Sequence, residues 1–506
     1  MSRAVTTPDP AHPERGSTPS PGGSPARGEF LGHPRGLLPL SGLEVWERFS
    51  FLGMQAILVL YFADTVAHGG LAMAPATAAS VTAAYGTLVY LVSVAGGWLA
   101  DRVTGAYRAV LWGGVLIACG HYAMAAPFSA STWLGLGLII AGTGLLKPNA
   151  STLVGGLYTT ADQRRDAGFA LYYTAINIGA FLGPLVAGWL GQREGWHWGF
   201  SAAAVGMTLG LVQYVLGRRH LPGHRKAARA LPSPAARRTV RLLGGGLVLL
   251  AVVLAALSAT GVLTTERFVD ALTVVAVAAP VAYFAVMFKS PRTTPQERGR
   301  LRPYVVLFAA SCVFNVVLFQ SYSTITLLAA QHARTEIFGL HFPSTWYNSV
   351  LGVGEVVLAP VVAALWQRLG TRQPHASRKI AYGTVLGGLS FLVLVPATWD
   401  RSGDWQMAAW WLLVSFLLLG LGDILLETTG MSATTKLAPA AFSSQTMALW
   451  FLSMAAANGI QAQVVRYFGV IPDRLYFGLN GAAAVVAGLA VVAAGPWLRR
   501  RMHPVH

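Results

Sequence analysis

Charge is what this sequence has least of. Asp, Glu, Lys and Arg make up 11% of its 506 residues, where a soluble domain carries about 25%. Hydrophobic residues reach 54% and mean hydropathy is +0.52. That excludes a soluble enzyme and leaves an all-α polytopic membrane protein. Cysteine is almost missing too. Cys119 and Cys312 each fall in an apolar run, which excludes a disulfide framework or a thiolate metal site and reads as two buried apolar thiols. No His-Glu-x-x-His, phosphate-binding loop or nucleophile elbow is present. No enzyme chemistry, metal or cofactor is therefore expected. Residues 1–36 lack any apolar run and read as a disordered cytoplasmic tail, not a signal peptide.

What is abundant is span-length apolar sequence. Fourteen runs are read, at 38–63, 77–100, 107–126, 132–156, 165–190, 197–217, 242–261, 268–288, 303–330, 344–368, 379–397, 406–436, 444–468 and 474–498. The net charge of +17 sits almost wholly in alternate loops. Loop 218–241 holds eight Lys and Arg residues, from Arg218 to Arg241, and linker 289–302 holds Lys289, Arg292, Arg298, Arg300 and Arg302. Arg368, Arg372, Arg378 and Lys379 follow, and Arg499, Arg500 and Arg501 begin the tail at 499–506. Loops 64–76 and 127–131 have none. This bias predicts cytoplasmic termini in the plasma membrane and explains the basic charge without nucleic acid. The basic loop divides the runs into six (37–217), two (242–288) and six (303–498). Six plus six suggests the two pseudo-symmetric bundles of the major facilitator fold, with 242–288 as a peripheral hairpin.

Several runs carry residues that hydrocarbon does not tolerate. "LEVWERFSFLGMQ", 43–55, places Glu44, Glu47 and Arg48 on one helix face. That face should line a water-filled cavity, where carboxylate and guanidinium could exchange partners during proton transfer. A static ion network is the plainer alternative. "GTGLLKPN", 142–149, puts Lys147 before a helix-kinking Pro148, with Glu44 or Glu47 as its natural partners. "FALYYTAINIGAFLGP", 169–184, presents Asn177 and the small-residue face of Gly179 and Gly183. "GGWLADRVTGAYR", 96–108, supplies Asp101, Arg102, Gly105 and Arg108 as a candidate gate loop. Asp101 is expected to cap the next helix or pair with a cation. His121 reads as a packed histidine more readily than a proton relay. Trp346, Trp410 and Trp411 suit helix ends, and Arg466 and Arg474 read as solvated.

"ExxERFxxxG" at 44–53, "GTGLLKPN" and "AINIGAFLGP" at 175–184 together resemble the proton-dependent oligopeptide transporter family of the major facilitators. Tyr90 before "GGWLAD", "LAP" at 358–360, "KLAP" at 436–439 and Trp450 add to the resemblance. It implies symport of protons with short peptides by alternating access. Glu44, Glu47 and Arg48 would handle protons. Arg48, Lys147 and Asn177 would receive the substrate carboxylate, and an acid on the tenth core helix its amino group. Tyr90, Asn315, Gln320 and Trp450 would line the cavity. Small peptides, protons and the bilayer are the implied partners, for a monomer.

The chain also departs from that pattern. Phe51 and Leu52 stand where the family has tyrosines, Gln55 where it often has arginine, and Phe319 where it has glutamate. Both ends of one salt bridge are thus missing together, which avoids an unpaired buried charge. Leu351 replaces a cavity asparagine, but Glu355 follows four residues later. Asp423 holds the position of the tenth-helix glutamate, and Glu427 follows four residues later. Glu355 and Glu427 are expected to form a relocated acidic site, for a cationic group or for the coupling proton. Mutual repulsion would hold a proton on one of them. A proton-driven exporter of a cationic or peptide-like compound, and a transporter-fold sensor, are the alternative readings.

Overall fold

A computed structural model describes residues 29–502, apart from 31, 160–161, 163, 223–237, 338, 400–404, 440, 443–445 and positions scattered through 239–255. The first six helices are α1 (Leu37–Ala63), α2 (Pro75–Leu99), α3 (Ala106–Ala125), α4 (Ser129–Gly155), α5 (Arg165–Arg193) and α6 (Trp196–Gly217). Then come α7 (Thr265–Lys289), α8 (Pro295–Phe319), α9 (Thr324–His332) and α10 (Trp346–Leu369). The last four long helices are α11 (Ala376–Leu392), α12 (Ala409–Leu437), α13 (Thr446–Val464) and α14 (Asp473–Ala493), and a short helix at Gly495–Met502 follows them.

Among the described residues, 11 helices are long and apolar enough to cross a membrane. Two of the three other expected spans are present as α1, 27 residues long, and α3, 20 residues long. Glu44, Glu47 and Arg48 in α1, and Arg108 and His121 in α3, lower their hydropathy. The expected span at 242–261 and the basic loop 218–241 lie largely outside the described residues, as do residues 1–28 of the expected tail. Residues 29–34 correct part of that tail. Glu29–Phe30 pairs antiparallel with His33–Pro34. Arg164, before α5, holds this small hairpin through Glu29 at 2.7 Å and Gly32 O at 3.1 Å. Its hydrogen bonds also keep the Asp162 carboxyl below the usual carboxylate range.

Local chemistry moves some ends. α8 starts eight residues before the expected run because Thr294 and Glu297 form a capping box with Pro295 in the first turn. The same run is interrupted at Gln320–Tyr322 by a 3₁₀ turn, and α9 follows as a separate segment. α4 runs on through Pro148 without a break.

α1–α6 pack as one bundle, and α8, α10–α14 as a second. α2 packs along α13 and α5 along α10 where the bundles meet. This is the expected major facilitator arrangement of two six-helix halves. α7 lies across the α2–α13 seam, with Val269 and Leu272 against Ala83, Ala84 and Ala462. Arg466 is not free in solvent as expected. It pairs with Asp270 of α7 at 2.8 Å and donates to Glu266 O. Arg474 lies over the Trp399 ring. Cys119 is exposed on the outer face of its helix, against the expectation of a buried thiol, while Cys312 is buried.

Candidate functional site

Burial without charge compensation is costly, and α1 resolves this within its own length. Arg48 Nε lies 3.0 Å from Glu44 Oε1 and 3.0 Å from Glu47 Oε2. Glu44 is held by two hydrogen bonds, from Arg48 and from Tyr172 OH at 2.6 Å. Glu47 is fully buried, yet its oxygens accept no hydrogen bond among the described residues. It is held by charge alone. Tyr172 reaches Glu44 because α5 lies against α1 without side chains between them. A Cβ at Gly179 would fall 2.3 Å from Val45 O and 2.7 Å from Arg48 Cβ. The expected small-residue face is therefore the device that brings Tyr172 to the charged face.

Lys147 is not paired with Glu44 or Glu47 as expected. Its Nζ sits 3.4 Å from Tyr90 OH and 4.5 Å from the Tyr90 ring centroid, with the Phe51 ring at 5.8 Å. Arg48 lies over the same Phe51 ring at 6.0 Å. A phenyl ring where the family pattern has a phenol thus becomes a shared floor for two cations. Phe319 packs on Tyr90 with centroids 5.6 Å apart. Where the family pattern has an acid, the two halves here meet through aromatic contact.

The acids gather on the opposite half. Glu355 of α10 lies beside Asp423 of α12, within reach for the two carboxyl groups to share a proton, and Glu427 lies within electrostatic range of Asp423. Glu427 also lies within electrostatic range of Glu355, so the expected acidic site holds both residues and takes in Asp423 as its third member. Glu427 accepts from Trp450 Nε1 at 3.4 Å. A bond between two carboxyl groups needs a proton on one of them. Tyr173, beside Asn177, and Tyr322 lie within electrostatic range of Glu355 and Asp423. Lys147 and Arg48 lie within range of Glu427. Cations on α1 and α4 therefore face acids on α10 and α12.

Other candidates fall elsewhere. Gln320 is fully buried and committed to Tyr476 OH, Thr324 and Val316 O. Asn315 bonds Ser311 O within α8. Both brace α8. Asp101 is exposed in a π-turn and does not cap α3, whose N-cap is Gly105 at φ 73°. Arg102 stacks on Trp98 at 5.3 Å, and Arg108 begins α3. His121 is fully buried, and neither ring nitrogen has a hydrogen-bond partner among the described residues.

Sequence reading passed over Tyr172, Tyr173 and Tyr322. The first two stood inside a stretch chosen for Asn177, and their phenols were the signal. It also passed over the closure between the halves at the end away from the basic loops. There Gln192 bonds Ser344 at 3.0 Å and Thr345 at 3.2 Å. Trp346, expected at a helix end, also donates to Leu185 O, and Ser80 donates to Ala462 O. Trp410 and Trp411 stack in the first turn of α12.

The POT family pattern matches residues 107–479. The chain belongs to the POT family. It is 42% identical to Uncharacterized transporter YclF of Bacillus subtilis (strain 168), over 94% of this chain and 96% of that protein. It is 36% identical to a di-/tripeptide transporter of Lactococcus lactis subsp. cremoris, over 92% and 95%. A variant of a peptide transporter POT, crystallised with alafosfalin, is 42% identical, with a TM-score of 0.86 over 94% of this chain and 97% of that one. The substituted positions 51, 52, 55 and 319 thus belong to a POT chain of full architecture.

Proposed function

We propose that this chain carries di- and tripeptides, or peptide-like compounds, across the plasma membrane by alternating access, driven by protons. One observation carries the reading: cations on α1 and α4 face acids on α10 and α12 across the seam. A short peptide at neutral pH is a zwitterion. Arg48 and Lys147, with Asn177, suit its carboxylate. Asp423 and Glu427 suit its amino group. The di-/tripeptide transporter among the relatives and the alafosfalin-bound structure support this substrate class.

The acids divide by how they are held. Glu47, held by charge alone, is the acid free to change partners when a substrate carboxylate draws Arg48 away. The Glu355–Asp423 pair holds a proton where Phe319 has displaced the family's glutamate. Protonation of both acids would release them from a substrate amino group, and loss of the shared proton would draw one in. Coupling thus needs no cofactor beyond the proton, and no catalytic step. The Lys and Arg bias supports cytoplasmic termini. On that orientation the structure is closed toward the outside through Gln192 and Trp346. The working unit is a monomer, since one chain holds both halves of the site.

Uptake of labelled dialanine into liposomes under an inward proton gradient tests the reading. Accumulation abolished by a proton ionophore is expected. Folded protein that neither accumulates dialanine nor binds it would end it. The three clustered acids also favour substrates with an added positive charge, including efflux of such compounds under the opposite gradient.

A further inference from the structure

At the basic-loop end of the first bundle, the start of α1 meets the end of α6 around an open pocket of about 410 Å³. It is far from the charged seam. Its rim carries two cations, Arg35 before α1 and Arg219 after α6, with the imidazole of His220 beside them. Its wall is apolar, formed by Leu38 and Leu216, and Gln213 adds an amide. The shape depends on small residues. A Cβ at Gly217 would meet Pro39 at 2.5 Å, and one at Gly42 would meet Gln213 at 2.0 Å.

Three features narrow what fits. First, among the described residues, Arg35, Arg219 and His220 have no hydrogen-bonding or ion-paired side-chain partner in the protein, unlike Arg48 or Arg164. Two unpaired guanidinium groups around a pocket invite an anion. Second, Leu38 is 52% exposed and Leu216 75% exposed, and both line the same pocket as those basic side chains. A soluble anion gives such an apolar wall nothing to contact. Third, the pocket lies where two membrane-crossing helices end, at the level of headgroups.

We infer that this pocket binds an anionic phospholipid. Arg35 and Arg219 take the phosphate, Gln213 and His220 take headgroup oxygens, and an acyl chain runs down Leu38 and Leu216. The site is independent of the peptide site and does not rest on the transport reading.

The test uses the full chain in detergent micelles doped with fluorescent phosphatidylglycerol or with fluorescent phosphatidylcholine. Wild type should retain phosphatidylglycerol in preference. Arg35→Gln with Arg219→Gln should weaken that retention by about thirtyfold, from roughly 1 kcal/mol for each basic residue at a membrane surface. Leu216→Gln should also weaken it, and thermal unfolding should show each variant folded. If either variant does not fold, Arg219→Lys, which keeps the charge, should retain the lipid, and loss of preference there would count against the site. Equal retention of the two lipids, or folded arginine variants that retain phosphatidylglycerol as wild type does, would overturn the inference. Displacement of the lipid by millimolar inorganic phosphate, with Leu216→Gln harmless, would overturn it in favour of a soluble-anion site.

Discussion

On α1, Glu44 and Glu47 share the guanidinium of Arg48, with Tyr172 completing Glu44. Across the seam, Glu355 and Asp423 lie side by side with no salt bridge to a cation among the described residues. α10 carries no Lys or Arg before Arg368, and α12 none before Lys436. One half neutralises buried acids with a cation on the same helix. On the proposed reading, the other does so with a shared proton. The difference matters because a guanidinium stays charged throughout the physiological range, whereas a shared proton can leave. The first cluster is suited to holding a fixed charge that a substrate can compete for. The second is suited to gaining and losing a proton.

Removing the cation should do the most damage. Arg48→Ala leaves two buried carboxyl groups without their partner, a loss of about 3–5 kcal/mol when a buried pair is broken. Thermal unfolding should fall clearly and uptake should vanish. Arg48→Lys should recover folding more than transport, because one ammonium cannot reproduce the planar fork. Next comes the shared proton. Glu355→Gln can still donate to Asp423, so folding should survive while gradient-driven accumulation drops about tenfold or more. If both variants behave alike in unfolding and in transport, the contrast between the halves is wrong.

Lys147→Ala sharpens the substrate side. Its Nζ rests on Tyr90 and not on an acid. The protein loses little, and the substrate loses one charge-assisted hydrogen bond, about 1.5–3 kcal/mol. The KM for dialanine should rise tenfold or more with the unfolding temperature nearly unchanged. The smallest effect is expected from Asp270→Asn. Its pair with Arg466 is partly exposed, so stability should move by less than about 1 kcal/mol. Transport by this variant gauges how much the α7 contact contributes.

Much of this was legible in the sequence because the bilayer restricts what a buried charge can do. Glu44, Glu47, Arg48 and Lys147 stood out against apolar runs, and the Lys and Arg bias gave the alternation of the spans. What the sequence did not carry was pairing between helices. Spacing placed Glu355 and Glu427 each on a cavity face, but only the rotation of α10 against α12 decides that Glu355 meets Asp423. Lys147 seemed to require an acid. Tyr90 and Phe51 instead supply a ring face and a phenol, a partnership that no linear pattern announces. Gln320 looked like a cavity amide until Tyr476, from α14, took its oxygen.

The most direct test of the division between the two halves is proton-coupled accumulation of dialanine by Glu355→Gln in liposomes, measured beside its exchange of labelled for unlabelled dialanine. The account predicts that exchange persists while gradient-driven accumulation is lost. Accumulation equal to that of wild type would place the coupling proton elsewhere and contradict the role given to the Glu355–Asp423 pair.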